Sequence, residues 1–121
     1  MSTNDTYLAV FLGSKTGAKW TTWNALSETG RKARETRGIA AWKAWVEKHQ
    51  GVIVAMGGPL GKTKKIDSQG IADVTNAMGA FTVVRAASHE AAAKLFEDHP
   101  HFAIFPGDSV EVMPVLPIPA G

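Results

Sequence analysis

The sequence predicts an α+β fold of order βαββαβ, and three observations predict it. Short apolar runs rich in Val, Ile and Phe alternate with two stretches of helical spacing. Gly and Pro clusters separate these runs. A chain of 121 residues supplies one hydrophobic core and is too short for two, so a single domain over 1–121 is expected, with its core over about 7–117.

From Tyr7 to Gly13 nearly every residue is apolar, which predicts a short first strand covered on both faces. A loop follows from Ser14 to Lys19, then Trp20 and Trp23, and Ser27 offers its hydroxyl as a helix N-cap. From Glu28 to Gln50 the spacing is helical: Ile39, Trp42, Val46 and His49 share one face. Gly51 is the expected left-handed C-cap.

Val52 to Met56 forms the second strand, which Gly57-Gly58-Pro59 is expected to end in a turn or bulge. The polar segment over about 61–78 predicts a protruding hairpin, with short strands around Lys64 to Ile66 and Ile71 to Asp73. Gly79 restarts the sheet pattern, which runs through Phe81, Val83 and Val84 to Ala87. Ser88 caps a second helix whose stripe is Ala92, Leu95 and Phe96, and Pro100 ends it. After the Pro106-Gly107 turn, Ser109 to Val115 alternates and gives the last strand.

Leaving the hairpin aside, this order describes a ferredoxin-like arrangement, a four-stranded antiparallel sheet with two helices on one face. Leu8 and Val10 lie on one side of the first strand and Ala9 and Phe11 on the other, so both sheet faces carry apolar side chains. No third layer remains to cover the second face. A homodimer closed through that face is the expectation.

Composition excludes several classes. With no Cys there is no disulfide framework, thiolate nucleophile or Cys-type zinc site. No apolar run approaches the length of a bilayer span, and the N-terminus lacks a signal-like pattern, so no membrane association and a cytoplasmic location are expected. Net charge is only +2, and the basic residues Arg31, Lys32, Arg34 and Arg37 alternate with acids, which argues against a nucleic-acid partner.

The densest ionisable set is Asp98-His99-Pro100-His101, with Asp108 seven residues further on. A His oriented by a carboxylate is the minimum for moving a proton near neutral pH, so His99 or His101 is the candidate acid/base, oriented by Asp98 or Asp108. The bland alternative is a helix end, favoured by Asp98 and His99, where the His bonds free carbonyls and Pro100 begins a turn. His99-x-His101 also has donors for a divalent metal, but this spacing arises often by chance, and neither a metal nor a cofactor is expected. Trp42 and Trp45 read either as core or as an aromatic wall for a planar ligand. Gly58 and Pro59 sit where a ligand could approach the backbone, without the strand-to-helix context of a phosphate loop. His49 and His89 read as helix-end and solvated residues.

Gly57-Gly58-Pro59-Leu60, Ser88-His89-Glu90-Ala91-Ala92, Asp98-His99-Pro100 and Val110-Glu111-Val112-Met113-Pro114, in this order and spacing, resemble the YCII-related (DGPF-like) family from about Tyr7 to Pro117. The resemblance implies a dimeric α/β barrel of ferredoxin-like protomers. It also implies, for some members, lyase-type chemistry on aromatic-degradation intermediates with a His-Asp pair. Asp98 holds the position of the family's Asp before Pro. No His lies between the first strand and the first helix, where many members carry one, so His99 or His101 would stand in. Two functions follow: a small cofactor-independent lyase or isomerase acting on a small organic or aromatic-derived substrate, or a non-catalytic dimer that binds a small ligand or partner.

Overall fold

The structure, a computed structural model, describes residues 5–119. Its first strand, β1 (Thr6–Leu12), is central, and β5 (Met78–Arg85) and β6 (Ser109–Pro114) pair antiparallel to its two sides. The edge strand β2 (Ile53–Pro59) pairs antiparallel with β5, giving the order β2-β5-β1-β6. This is the predicted ferredoxin-like sheet. The hairpin of β3 (Thr63–Asp67) and β4 (Gly70–Val74) forms a separate two-stranded sheet, with Lys64 opposite Asp73 and Ile66 opposite Ile71.

Alternation along β1 decides which face is covered. Tyr7, Ala9 and Phe11 are buried together with Val84, Trp45, Ala92 and Phe96. Burying a side chain the size of Phe11 stabilises the fold by about 1.5–3 kcal/mol. Two helices supply the cover: α2 (Glu28–Lys48), capped by the Ser27 hydroxyl accepting from the Gly30 N–H at 3.0 Å, and α3 (His89–Lys94), capped likewise by Ser88 on Ala91 at 3.0 Å. On the opposite face Leu8 pairs with Val83 and Met113, and Val10 with Phe81 and Glu111, an apolar patch with one carboxylate on the β6 side.

Four local expectations are corrected. An additional helix, α1 (Ala18–Ala25), starts inside the expected loop without a side-chain cap. Gly51 is not a left-handed cap: α2 ends on His49 and a single 3-10 turn, Gln50–Val52, and the His49 ring Nδ1–H donates to the Trp45 carbonyl at 2.8 Å. Gly57-Gly58-Pro59 makes the expected bulge, but inside β2 and not beyond its end, because an edge strand tolerates both a bulge and a proline. On α2 the deepest side chain is Trp45, whereas Ile39 of the expected stripe is 60% exposed.

The second helix is also shorter than expected, and Pro100 starts a helix as well as ending one. After turns over 95–98, Asp98 takes a left-handed backbone (φ 56°) and the short helix α4 (Pro100–Ala103) begins with proline in its first turn, where a missing N–H costs nothing. His99 is its N-cap: the ring Nδ1 accepts from the His101 N–H at 3.0 Å.

Candidate functional site

A cleft of about 760 Å³ opens between α2 and the β2–β5 pair. Trp42, Val46 and Ile39 form one wall, Met56 to Pro59 and Ala80 to Thr82 the other, and Phe105 is also part of the lining. The lining is mostly apolar and aromatic, with Lys43 and Glu47 as its ionisable side chains, the composition common to small-molecule pockets. A second groove of about 790 Å³ at the foot of the hairpin is polar, and there Lys64 and Asp73 already pair at 2.6 Å.

Glycines shape the cleft. Gly57 has φ +66°, and a Cβ there would collide with the Phe81 carbonyl, so only glycine brings the bulge of β2 this close to β5. The Thr82 hydroxyl, buried beneath, donates to the Met56 carbonyl at 3.0 Å and fixes the bulge. Gly38 of α2 lets the Phe105 ring lie directly on the helix backbone.

The residues expected to act together are divided among four places. Trp42, Gly58 and Pro59 line the cleft. His99 and Trp45 lie in the core, with the His99 ring among Phe11 (4.9 Å), Trp42 (4.5 Å), Trp45 (4.9 Å) and Phe96 (5.9 Å). Trp45 packs on Phe96, and its indole N–H donates to the Leu95 carbonyl at 2.8 Å. His101 and Asp108 belong to a latch at the end of β1, and Asp98 is exposed on its turn, away from both imidazoles' hydrogen bonds.

In the latch, His101 Nε2–H donates to the Leu12 carbonyl at 2.7 Å, and Gly107 lies so close that any side chain there would meet the ring. Asp108 accepts from the Ser14 N–H at 2.9 Å, and Lys19 donates to the carbonyls of Phe102 and Gly107. Burial lowers the His101 pKa, while the Leu12 carbonyl and the Asp108 charge pull it partly back. Of the two expected carboxylates, Asp108 rather than Asp98 is therefore the one felt by an imidazole. His89, read as solvated, stacks on Tyr7 at 5.5 Å and its Nε2 bonds the Val112 carbonyl at 2.7 Å.

His99 is 0% exposed, and its pKa falls to about 4, chiefly by burial, with His101 and His49 adding like-charge repulsion. Its ring is therefore neutral at neutral pH. Because Nδ1 accepts from a backbone N–H, the proton sits on Nε2, and that N–H has no hydrogen-bond acceptor among the described residues. The aromatic faces around it give it only the weak partner of an N–H···π contact.

Sequence reasoning missed Phe105, Met56, Phe81 and Thr82. Gly38, a helix breaker inside a helical stretch, was the signal for a close approach to α2, and the bulge glycines marked the same for β5. Among the described residues no group of three or more His, Asp or Glu is placed to hold a metal ion, and no helix is long and apolar enough to cross a membrane.

No protein-family model matches the chain, and no curated protein matches it. Among solved structures it resembles 5-chloro-2-hydroxyhydroquinone dehydrochlorinase (TftG) from Burkholderia phenoliruptrix AC1100 in complex with 2,5-dihydroxybenzoquinone. The TM-score is 0.52 at 18% identity, covering 89% of this chain and 90% of that one. The likeness is one of fold.

Proposed function

We propose that the cleft between α2 and β2–β5 binds a small planar, aromatic-derived ring, and that the protein is a cofactor-independent catalyst of the lyase or isomerase type on such a ring. The observation that carries this reading is the apolar cleft with Trp42 as its aromatic wall. A ring stacked on an indole face gains contact area and quadrupole complementarity together. The dehydrochlorinase with the similar fold acts on a hydroxylated, chlorinated ring of this size, which supports the same substrate class here.

Within the cleft, Glu47 is the carboxylate available to take a proton and Lys43, four residues earlier on α2, is the cation available to a phenolate. His101 and Asp108 serve the frame of the site in this reading. Membership of the YCII-related group is part of the same proposal, resting on the quoted motifs and on the fold.

The chain is further proposed to act as a homodimer through the open sheet face. The apolar patch of Leu8, Val10, Phe81, Val83 and Met113, with Glu111 at its β6 side, supports it, since a two-fold axis would bury such a patch against its own copy. Light scattering at micromolar concentration should give twice the chain mass, and a monomer mass rejects the dimer.

A second reading, binding without catalysis, is favoured by one observation: neither imidazole of the expected acid/base set lines the cleft. Incubation with hydroxylated and chlorinated hydroquinones, followed by absorbance and mass spectrometry, separates the two. Product formation that Glu47→Gln abolishes supports catalysis. Saturable binding with unchanged ligand supports the second reading, and no binding of any ring rejects both.

A further inference from the structure

We infer that His99 is the hidden polar end of the cleft, its Nε2–H donating to a carbonyl or phenolate oxygen at the edge of the bound ring once the Trp42 indole, still the wall on which that ring stacks, tilts to open a gap beside it. This rests on the ring-binding reading above and adds to it a second wall and a requirement on the ligand, an oxygen at one edge of the ring.

Three observations converge on it. First, the His99 Nε2–H is buried and lacks an acceptor among the described residues, whereas buried donors in folded proteins nearly always have one. Second, its tautomer is fixed from the other side: the His101 N–H holds Nδ1 as an acceptor, so Nε2 can only donate. A neutral imidazole so held acts as a hydrogen-bond donor to a ligand oxygen and not as a base, and burial keeps it neutral. Third, of the four aromatic rings around His99, Trp42 alone also lines the cleft. The indole stands at 90° to the imidazole with centroids 4.5 Å apart, so one and the same ring borders both the His99 imidazole and the cleft.

Trp42 is half-buried, in contrast to Trp45, whose indole N–H is tied to Leu95. It is therefore the less buried of the two indoles, and a small tilt of its ring, not a full rotamer change, is enough to open the gap. An oxygen entering beside it would satisfy the donor that the empty fold leaves unpaired. An apolar ring of the same size gains nothing from that step, so the site selects oxygenated rings.

The test uses the full chain, labelled with ¹⁵N, and 2,5-dihydroxybenzoquinone as probe. The chain has no Cys, so thiol addition to the quinone does not intrude. Contacts from the probe's ring protons to the Met56 methyl place it in the cleft, and the His99 Nε2–H resonance reports the donor. The inference expects that resonance to shift on saturation, and His99→Phe to weaken the probe about 10-fold while indole, which has no oxygen, binds within about twofold of wild type. A probe that contacts Met56 while the His99 signal stays unmoved overturns the inference and leaves ring binding standing. Failure of the probe to contact Met56 at all overturns the ring-binding reading and this inference with it. If His99→Phe does not fold, the wild-type resonance decides.

Discussion

Acidification from pH 7.5 to pH 5 destabilises the fold through His99. Its pKa is about 4 in the folded chain against 6.5 for a solvated imidazole. Between these values the unfolded chain binds a proton that the folded chain refuses. The contribution of His99 is thus fully present above pH 6.5 and is lost as pH falls towards 4. Proton linkage with those two values gives a loss of about 2 kcal/mol between pH 7.5 and pH 5. His101, also lowered by burial, adds in the same direction. The assay is urea unfolding followed by Trp fluorescence at pH 7.5, 6 and 5, for wild type and His99→Phe. The variant should lose about 2 kcal/mol less than wild type over the interval, since the remaining titrating groups are common to both. Equal losses in the two proteins, or a wild type whose stability is flat to within about 0.5 kcal/mol, would refute the buried neutral imidazole.

Other consequences follow from the same geometry. Gly57→Ala forces a Cβ onto the Phe81 carbonyl at φ +66° and should cost about 2 kcal/mol or more by thermal melting. Gly58→Ala, whose Cβ meets nothing within 4 Å, is the near-neutral control. Trp45→Phe keeps a ring in the core but leaves the Leu95 carbonyl without its indole donor, an expected loss of about 1–3 kcal/mol in urea unfolding. Lys64→Ala breaks a 2.6 Å ion pair whose side chains are 68% and 83% exposed, and should change stability by less than about 1 kcal/mol.

Much of the frame was legible because it depends on periodicity and caps. The alternation of β1 assigns Ala9 and Phe11 to the core, and Ser27 and Ser88 mark two helix starts by their hydroxyls. The hairpin is found within a residue or two, since its turn residues and flanking β-branched side chains agree. The site was less legible, because its geometry is set by contacts distant in sequence. Asp98 and His99 are neighbours in the chain, yet one left-handed residue sends the carboxylate to solvent and the imidazole into the core. Phe105 lies on Gly38 across 67 positions, a contact that no local pattern encodes. Proline at position 100 was read as a stop, but after a left-handed residue it is equally a start.

The function of the cleft depends on where a small oxygenated ring binds. The most direct measurement is a crystal structure of the protein grown with saturating 2,5-dihydroxybenzoquinone. Density for the ring is expected in the cleft, against Met56 and a tilted Trp42, with one oxygen at His99 Nε2. Density elsewhere on the protein, or an empty cleft with Trp42 in place, would contradict ring binding there.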